Sequence, residues 1–183
     1  DIVVEGDAIT LANSLVNLYK GKISTHKRFR TAKWIIKDNG KLTIDLSEMN
    51  TFDSAEFPDS IDFISARTEF YEYPTALPEV ESSSIKLDLH RRDFSINTLA
   101  MRLDGRHFAD FYVFWGGLED LQAGVIRVLH SLSIVDAPTR LIRAVRFEQR
   151  FGFEIEPRTL QLLIEASDLI SQVSGDRLRH ELN

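Results

Sequence analysis

In the stretch VDAPTRLIRAVRFEQRFGF, residues 135–153, Arg140, Arg143, Arg146 and Arg150 recur at spacings of three, three and four. Arginine offers a planar fork of N–H donors that suits phosphate oxygens or a base edge. On a helix the four would occupy about a third of the circumference, with Leu141, Ile142 and Val145 opposite. Such a row reads in two ways. It is a solvated charged face, or it is a row that an anion completes, because like charges one turn apart repel and few acidic residues interleave. A second basic knot, HRRDFSIN, spans residues 90–97; by itself it reads equally as an ion pair at a helix end. Asp1 and Asp62 each sit on a strand-like run. Carboxylates on adjacent strands supply the hard oxygen ligands of a Mg²⁺ site for phosphoryl transfer. A lone aspartate at a strand end also serves as a turn or cap residue, and spacing alone leaves both roles open.

These residues need elements to position them. Ile9, Leu11, Ala12, Leu15, Val16 and Leu18 recur at helical spacing and predict a helix from Asp7 to Leu18. TAKWIIK and KLTIDL read as a hairpin around Asn39-Gly40, a strong two-residue turn signal. The polar, acidic residues 47–60 read as a loop or insert, and IDFISART returns to a strand pattern. Ser83 or Ser84 can cap a helix through IKLDLHRRD. FWGGLEDLQAG reads as a glycine-rich turn into a short helix, and VIRVL as a strand. Helices are then expected over Pro138–Arg150, Pro157–Asp168 and Gly175–Leu182, since proline is well tolerated in a first helical turn. The pattern is an α+β module followed by a helical one, changing near His130–Pro138.

Composition narrows the function classes. A chain of 183 residues, 43% hydrophobic and 27% charged, can bury a substantial core and fits one domain, or one domain with an appendage. No apolar run approaches the roughly 20 residues that cross a bilayer, so no membrane partner is expected. No signal-peptide pattern is read at the N-terminus, and the abrupt start at Asp1 within a strand predicts further sequence upstream. Cysteine is absent, which excludes disulfides and thiolate metal sites and suits a reducing cytoplasm. With a net charge of −6, broad nonspecific attraction to nucleic acid is not expected; a polyanion site must come from local clustering.

Taken together, DIVVEGDA, IDFISARTEFYEYP, LHRRDFSINTLAMRL, GGLEDLQAGVIRVLHSLS and PTRLIRAVRFEQRFGF resemble the bacterial class II tRNA nucleotidyltransferases. That group comprises the CCA-adding, CC-adding and A-adding enzymes and the similar bacterial poly(A) polymerases. The blocks keep the family's order over nearly the whole chain. The resemblance implies an α+β fold: a polymerase-β-like nucleotidyltransferase head with a mixed sheet and flanking helices, incomplete at its N-terminus, followed by an all-α neck. It places the head at residues 1–131 and the beginning of the neck at 132–183. Asp1 matches the second of two paired metal-binding aspartates, the first expected two residues upstream, in a two-metal Mg²⁺ site. Asp62 matches a further carboxylate near the metals. Arg91, Arg92, Asp93 and Asn97 match a motif that binds the sugar and phosphates of the nucleotide. Arg140, Arg143 and Arg146 match neck arginines for the incoming nucleotide, Arg140 belonging to a Glu-Asp-x-x-Arg motif that reads the base.

Three departures bear on specificity. Asp136 and Ala137 hold the positions of the Glu and Asp in that motif, so the base-reading carboxylate beside Arg140 is replaced by a methyl group. Asp136, four residues before Arg140, could pair with it or supply an acceptor. Val113 stands where an aspartate usually precedes the glycine pair, and the acidic segment around residues 47–59 is longer than usual. The resemblance thus implies template-independent transfer from ATP and/or CTP to an RNA 3′ end, most readily tRNA. The alternatives are poly(A) addition and a weakened nucleotide-binding module. The chain alone is expected to be a poor catalyst, because one ligand aspartate and the triphosphate loop lie outside it.

Overall fold

The computed structural model describes residues 1–45, 57–73, 76 and 78–182. The chain divides into two units, one made of Asp1–Thr68 with Val80–Leu87 and the other of Glu69–Glu79 with Asp88–Asn183.

In the first unit, β1 (Ile2–Val4) leads into α1 (Ala8–Tyr19). Asp7 starts the helix by accepting the N–H groups of Ile9 and Thr10 at 2.9 and 3.2 Å, and the Thr10 hydroxyl at 2.8 Å. Those bonds satisfy donors that the first turn leaves without partners. The strands β2 (Lys22–His26) and β3 (Thr31–Ile35) follow. Next come the short pair β4 (Lys37–Asp38) and β5 (Lys41–Leu42), and then β6 (Ser60–Ser65). The main sheet has the order β1-β6-β3-β2, with β1 parallel to β6 and the other pairs antiparallel, so it is mixed as expected. The sequence-predicted hairpin is shorter than its apolar flanks. Only residues 37–42 form it, with Asn39 and Gly40 both at positive φ as a tight I′-type turn requires. TAKWI is instead drawn into the middle of the sheet, because Ala32 and Trp34 bury there against Ala8 and Ala12 of α1 and Phe63 of β6. Two alanines one turn apart let the helix approach the sheet closely. The expected loop over residues 47–60 lies largely outside the described residues.

Two further strands, β7 (Arg67–Phe70) and β8 (Glu79–Ser82), cross the division between the units, and α2 is Ile85–His90. The Ser84 hydroxyl accepts the Leu87 N–H at 3.5 Å, the capping role expected of it. In the second unit, β9 (Leu99–Met101) pairs antiparallel with β10 (Phe111–Val113). Then come α3 (Gly117–Ala123), β11 (Val125–Ile126), α4 (Ser133–Asp136) and α5 (Thr139–Phe151). β12 (Glu154–Ile155) pairs parallel with β11, and α6 (Pro157–Glu165) and α7 (Gly175–Leu182) complete the unit. Its core gathers Phe94, Ile126, Ile134, Ala144, Leu163 and Ala166. No helix among the described residues is long and apolar enough to cross a membrane.

Candidate functional site

The carboxylates of the first unit are placed by strand register. Ile2 of β1 pairs with Phe63 of β6, so Asp1 and Asp62, each one residue earlier, stand at the same level on neighbouring strands. Phe63 points into the core, and strand alternation therefore turns Asp62 to the opposite face. Asp1 is exposed, and Asp62 is partly exposed with Lys33 Nζ 3.5 Å from its carboxylate. Hard, accessible oxygen donors fixed on a sheet fit a divalent cation such as Mg²⁺. Among the described residues no group of three or more potential ligands converges.

The second unit assembles the other site residues. Asp88, fully buried within α2, accepts Arg91 at 2.8 and 3.1 Å and Arg92 at 3.3 Å. Arg91 also donates to Glu69 at 2.8 Å, and Glu69 in turn accepts the Tyr71 hydroxyl at 2.9 Å. Burial, the Glu69 charge and that hydrogen bond push the Tyr71 phenol up to about 12. Asp93 is buried and accepts Phe94 N at 2.9 Å, Asn97 Nδ2 at 2.7 Å and Arg143 Nε at 2.7 Å. Burial works to raise its pKa. The Arg143 charge and the hydrogen bonds from Asn97, Arg143 and Phe94 outweigh that, so the carboxyl sits below its usual range.

The arginine row is not the solvated face that its helical projection suggests. Arg140 is buried, 8% exposed, whereas Val145 on the supposed apolar side is 45% exposed. Elements other than α5 bring the acceptors for Arg140, Arg143 and Arg146. Arg140 donates to the Ser133 hydroxyl at 2.5 Å, to the Ser133 carbonyl at 3.3 Å and to the Arg91 carbonyl at 2.7 Å. Arg143 pairs with Asp93 and, at 3.5 Å, with Glu181 of α7. Arg146 donates to the Glu181 carbonyl at 2.8 Å. An anion is therefore not needed to hold the row together. Of the two roles open to Asp136, the pair with Arg140 does not form: among the described residues, Arg140 donates to neutral oxygens and not to that carboxylate. Ala137 is buried at the end of α4, and Arg150, beyond the cluster, lies over the Phe151 ring at 5.4 Å.

Two donors remain over. The Nε atoms of Arg92 and Arg146 are buried and have no hydrogen-bond partner among the described residues. A buried unpaired N–H is costly, and a bound acceptor relieves it. Arg91, Arg92, Arg143 and Arg146 keep side-chain exposures of 19, 27, 29 and 35%, open enough to meet a ligand and packed enough to stay oriented.

Sequence reasoning missed Asp88, Glu69, Ser133 and Glu181. Asp88 was detectable, since it precedes Arg91 and Arg92 by three and four residues, the helical ion-pair spacing. The others are joined to their partners only by tertiary structure. The sequence pattern places Gly117 in a turn; in the fold a Cβ there would stand 2.4 Å from the Ser95 carbonyl and 2.7 Å from the Thr98 hydroxyl. The glycine lets α3 press against the 3₁₀ turn Ser95–Asn97, which carries Asn97.

The poly A polymerase head domain family matches residues 1–127, and the family described as the probable RNA and SrmB-binding site of polymerase A matches residues 152–183. An A-adding tRNA nucleotidyltransferase of Geobacter sulfurreducens is 41% identical over all of this chain and 19% of its own length. One from Halalkalibacterium halodurans is 38% identical over all of this chain and 39% of its own length. The chain thus spans well under half of these curated relatives. Among solved structures, an apo CCA-adding enzyme shares 44% identity and a TM-score of 0.80 over 98% of this chain and 38% of its own. The Thermotoga maritima CCA-adding enzyme complexed with tRNA shares 40% identity and a TM-score of 0.74 over 98% of this chain and 36% of its own.

Proposed function

The chain belongs to the poly A polymerase head domain family, and from that premise we propose that the protein containing it adds nucleotides without a template to the 3′ end of tRNA, with AMP from ATP as the main addition. The preference for adenylate rests on curated relatives that match the whole chain and carry A-adding names, where four named CCA-adding or CC-adding match 54–64% of it; CCA-adding enzymes of solved structure match 98% of it and support the wider CCA reading. The observation that carries nucleotide binding is the pair of buried, unpaired Nε donors on Arg92 and Arg146. A triphosphate offers the charged acceptors that such donors lack.

In this reading Arg91, Arg92, Arg143 and Arg146 hold and neutralise the nucleotide phosphates. Asp93 holds Arg143 and Asn97 in place while remaining ionised. Arg140 joins the Arg91 backbone to Ser133 and so sets the level at which Arg91 and Arg92 present their donors. The family is generally metal-dependent, and Asp1 is the residue assigned to Mg²⁺, with Asp62 a further catalytic carboxylate near it; the ion when bound would withdraw charge from the phosphates of the reaction. The RNA 3′-hydroxyl would attack the α-phosphorus in line, forming the new phosphodiester bond as the bond to pyrophosphate breaks. Catalysis is then positioning and charge stabilisation without a covalent enzyme intermediate. A head of residues 1–131 and a neck beginning at 132 belong to the same proposal, supported by a head-family match that reaches residue 127. So does a cytoplasmic location, supported by relatives that process tRNA.

The test is single-turnover incorporation by the full-length protein, with ATP and CTP offered separately to tRNA ending in CC and to tRNA lacking all three terminal nucleotides. One adenylate on the CC end is the expected result. Cytidylate on the shorter tRNA would favour complete CCA synthesis, which the CCA-adding structural neighbours support, and repeated adenylate on unrelated RNA would favour poly(A) addition. Retained ATP binding with no incorporation in Mg²⁺ would leave a binding module. Asp1→Ala is expected to abolish incorporation, and full activity in that variant would sink the proposal.

A further inference from the structure

Beside Asp1 and Asp62, the open face of the four-stranded sheet carries basic residues that nucleotide binding does not use. Ala32, Trp34 and Phe63 turn toward α1, so Ser24, Lys33 and Asp62 share the opposite face. Register sets them in one row across the sheet, with Ser24 beside Lys33, Lys33 beside Asp62, and Asp1 at the level of Asp62. From that row β2 runs through His26 to Lys27 and Arg28, about 10 Å further along. His26, Lys27 and Arg28 are exposed. Between Lys20 and Lys37 the sequence contains no aspartate or glutamate, although the chain as a whole is acidic. Lys22 is paired with Asp38, and Arg30 donates to Ser82. Among the described residues, no carboxylate pairs with Lys27 or Arg28. The guanidinium groups of Arg28 and Arg67 each lie 5.7 Å from the centroid of the Phe29 ring, cation–π contacts that help order the turn.

We propose that Lys33, His26, Lys27 and Arg28 form a strip that holds the phosphodiester backbone of the RNA 3′ end as it reaches Asp1 and Asp62. The inference rests on the nucleotide-transfer reading above and adds to it the place where the acceptor strand lies. A polyanion led toward two carboxylates is repelled unless cations line its path. Lys33 answers that repulsion beside Asp62, and Lys27 and Arg28 extend it along the edge strand. An acidic protein gains RNA affinity only through such a local concentration of charge, and each phosphate it neutralises releases counterions.

The experiment uses the full-length protein with the exposed pair changed to Lys27→Gln and Arg28→Gln, and separately Lys33→Gln. The dissociation constant for tRNA ending in CC is measured from 50 to 200 mM salt, beside the KM for ATP and the thermal melt. Each lost phosphate contact lowers the slope of log affinity against log salt by about 0.7–0.9. The double variant should therefore show a slope shallower by about 1.5 and an affinity about tenfold weaker at low salt, with KM for ATP and the melt as in the wild type. An unchanged slope in both variants, with a wild type that incorporates nucleotide, overturns the strip and leaves the function standing. A strip-dependent slope in a protein that incorporates no nucleotide keeps the strip as an RNA surface and overturns the function.

Discussion

Asp93 shows how one side chain can hold a site together. It sits between the donors of its own loop and an arginine from a helix far along the chain, and its charge survives burial because those donors are in place. Asp88 does the same for Arg91 and Arg92 from a fully buried position. Replacing Asp88 with Asn removes a charged partner from two arginines. A loss on the order of 1–3 kcal/mol of stability is expected from denaturant unfolding, together with a raised KM for ATP. In the proposed function, Ala137 is the position whose side chain would bear on base choice. Ala137→Asp would place a carboxylate between α4 and α5, three residues before Arg140, whose present acceptors are neutral oxygens. The ratio of kcat/KM for ATP and CTP should change, and an unchanged ratio would mean that position 137 does not face the base.

At the scale of elements, α3 and α1 differ in what they ask of sequence. α3 packs on the turn bearing Asn97 only because Gly117 has no Cβ. Gly117→Ala should destabilise by about 1–3 kcal/mol, and because it displaces Asn97 it should also raise the KM for ATP. The melting temperature and nucleotide kinetics read both effects. α1 depends on its cap. Asp7→Ala should cost about 1 kcal/mol in unfolding free energy while leaving KM for ATP unaltered, since Asp7 serves the helix end and not the nucleotide. The helices were largely legible because an amphipathic period and a capping residue are written within a dozen residues. The hairpin was less so. Its turn chemistry was correct, but TAKWI reads the same as a hairpin arm and as a central strand until Ala32, Trp34 and Phe63 are brought together.

For the whole molecule, the distribution of charge matters more than its sum. A net charge of −6 coexists with arginines held by carboxylates in one unit and a basic sheet edge in the other. Asp93 and Glu156, the latter capping α6 by accepting the Thr159 N–H at 2.6 Å, both have carboxyl pKa values below their usual ones, because burial, which works to raise them, is outweighed by their hydrogen bonds. The stability they contribute is present above the ordinary carboxylate range and is lost as pH falls through their lower folded values. Burial and the nearby Arg140 and His90 charges lower the His130 pKa, against the pull of Asp136. Below the ordinary histidine value the unfolded chain therefore binds more protons than the folded one, and stability begins to fall there. Melting temperature measured from pH 8 down to pH 4 should decline first near pH 6 and more steeply near pH 4. A flat profile would show that these groups are not held as described.

What the sequence by itself determined is local and ordered: the helical periods, the caps, the Asn39-Gly40 turn, and the succession of motifs by which the family is recognised. Only the tertiary structure decided which charges meet. Arg143 and Asp93 are 50 residues apart, and Arg140 and the Arg91 carbonyl 49. No spacing rule reaches that far, because a side chain's partners depend on which elements the hydrophobic cores draw together. That is why the arginine row read equally as a solvated face or as one that an anion completes, while in the fold it is already largely partnered and, among the described residues, leaves two buried Nε donors without a partner.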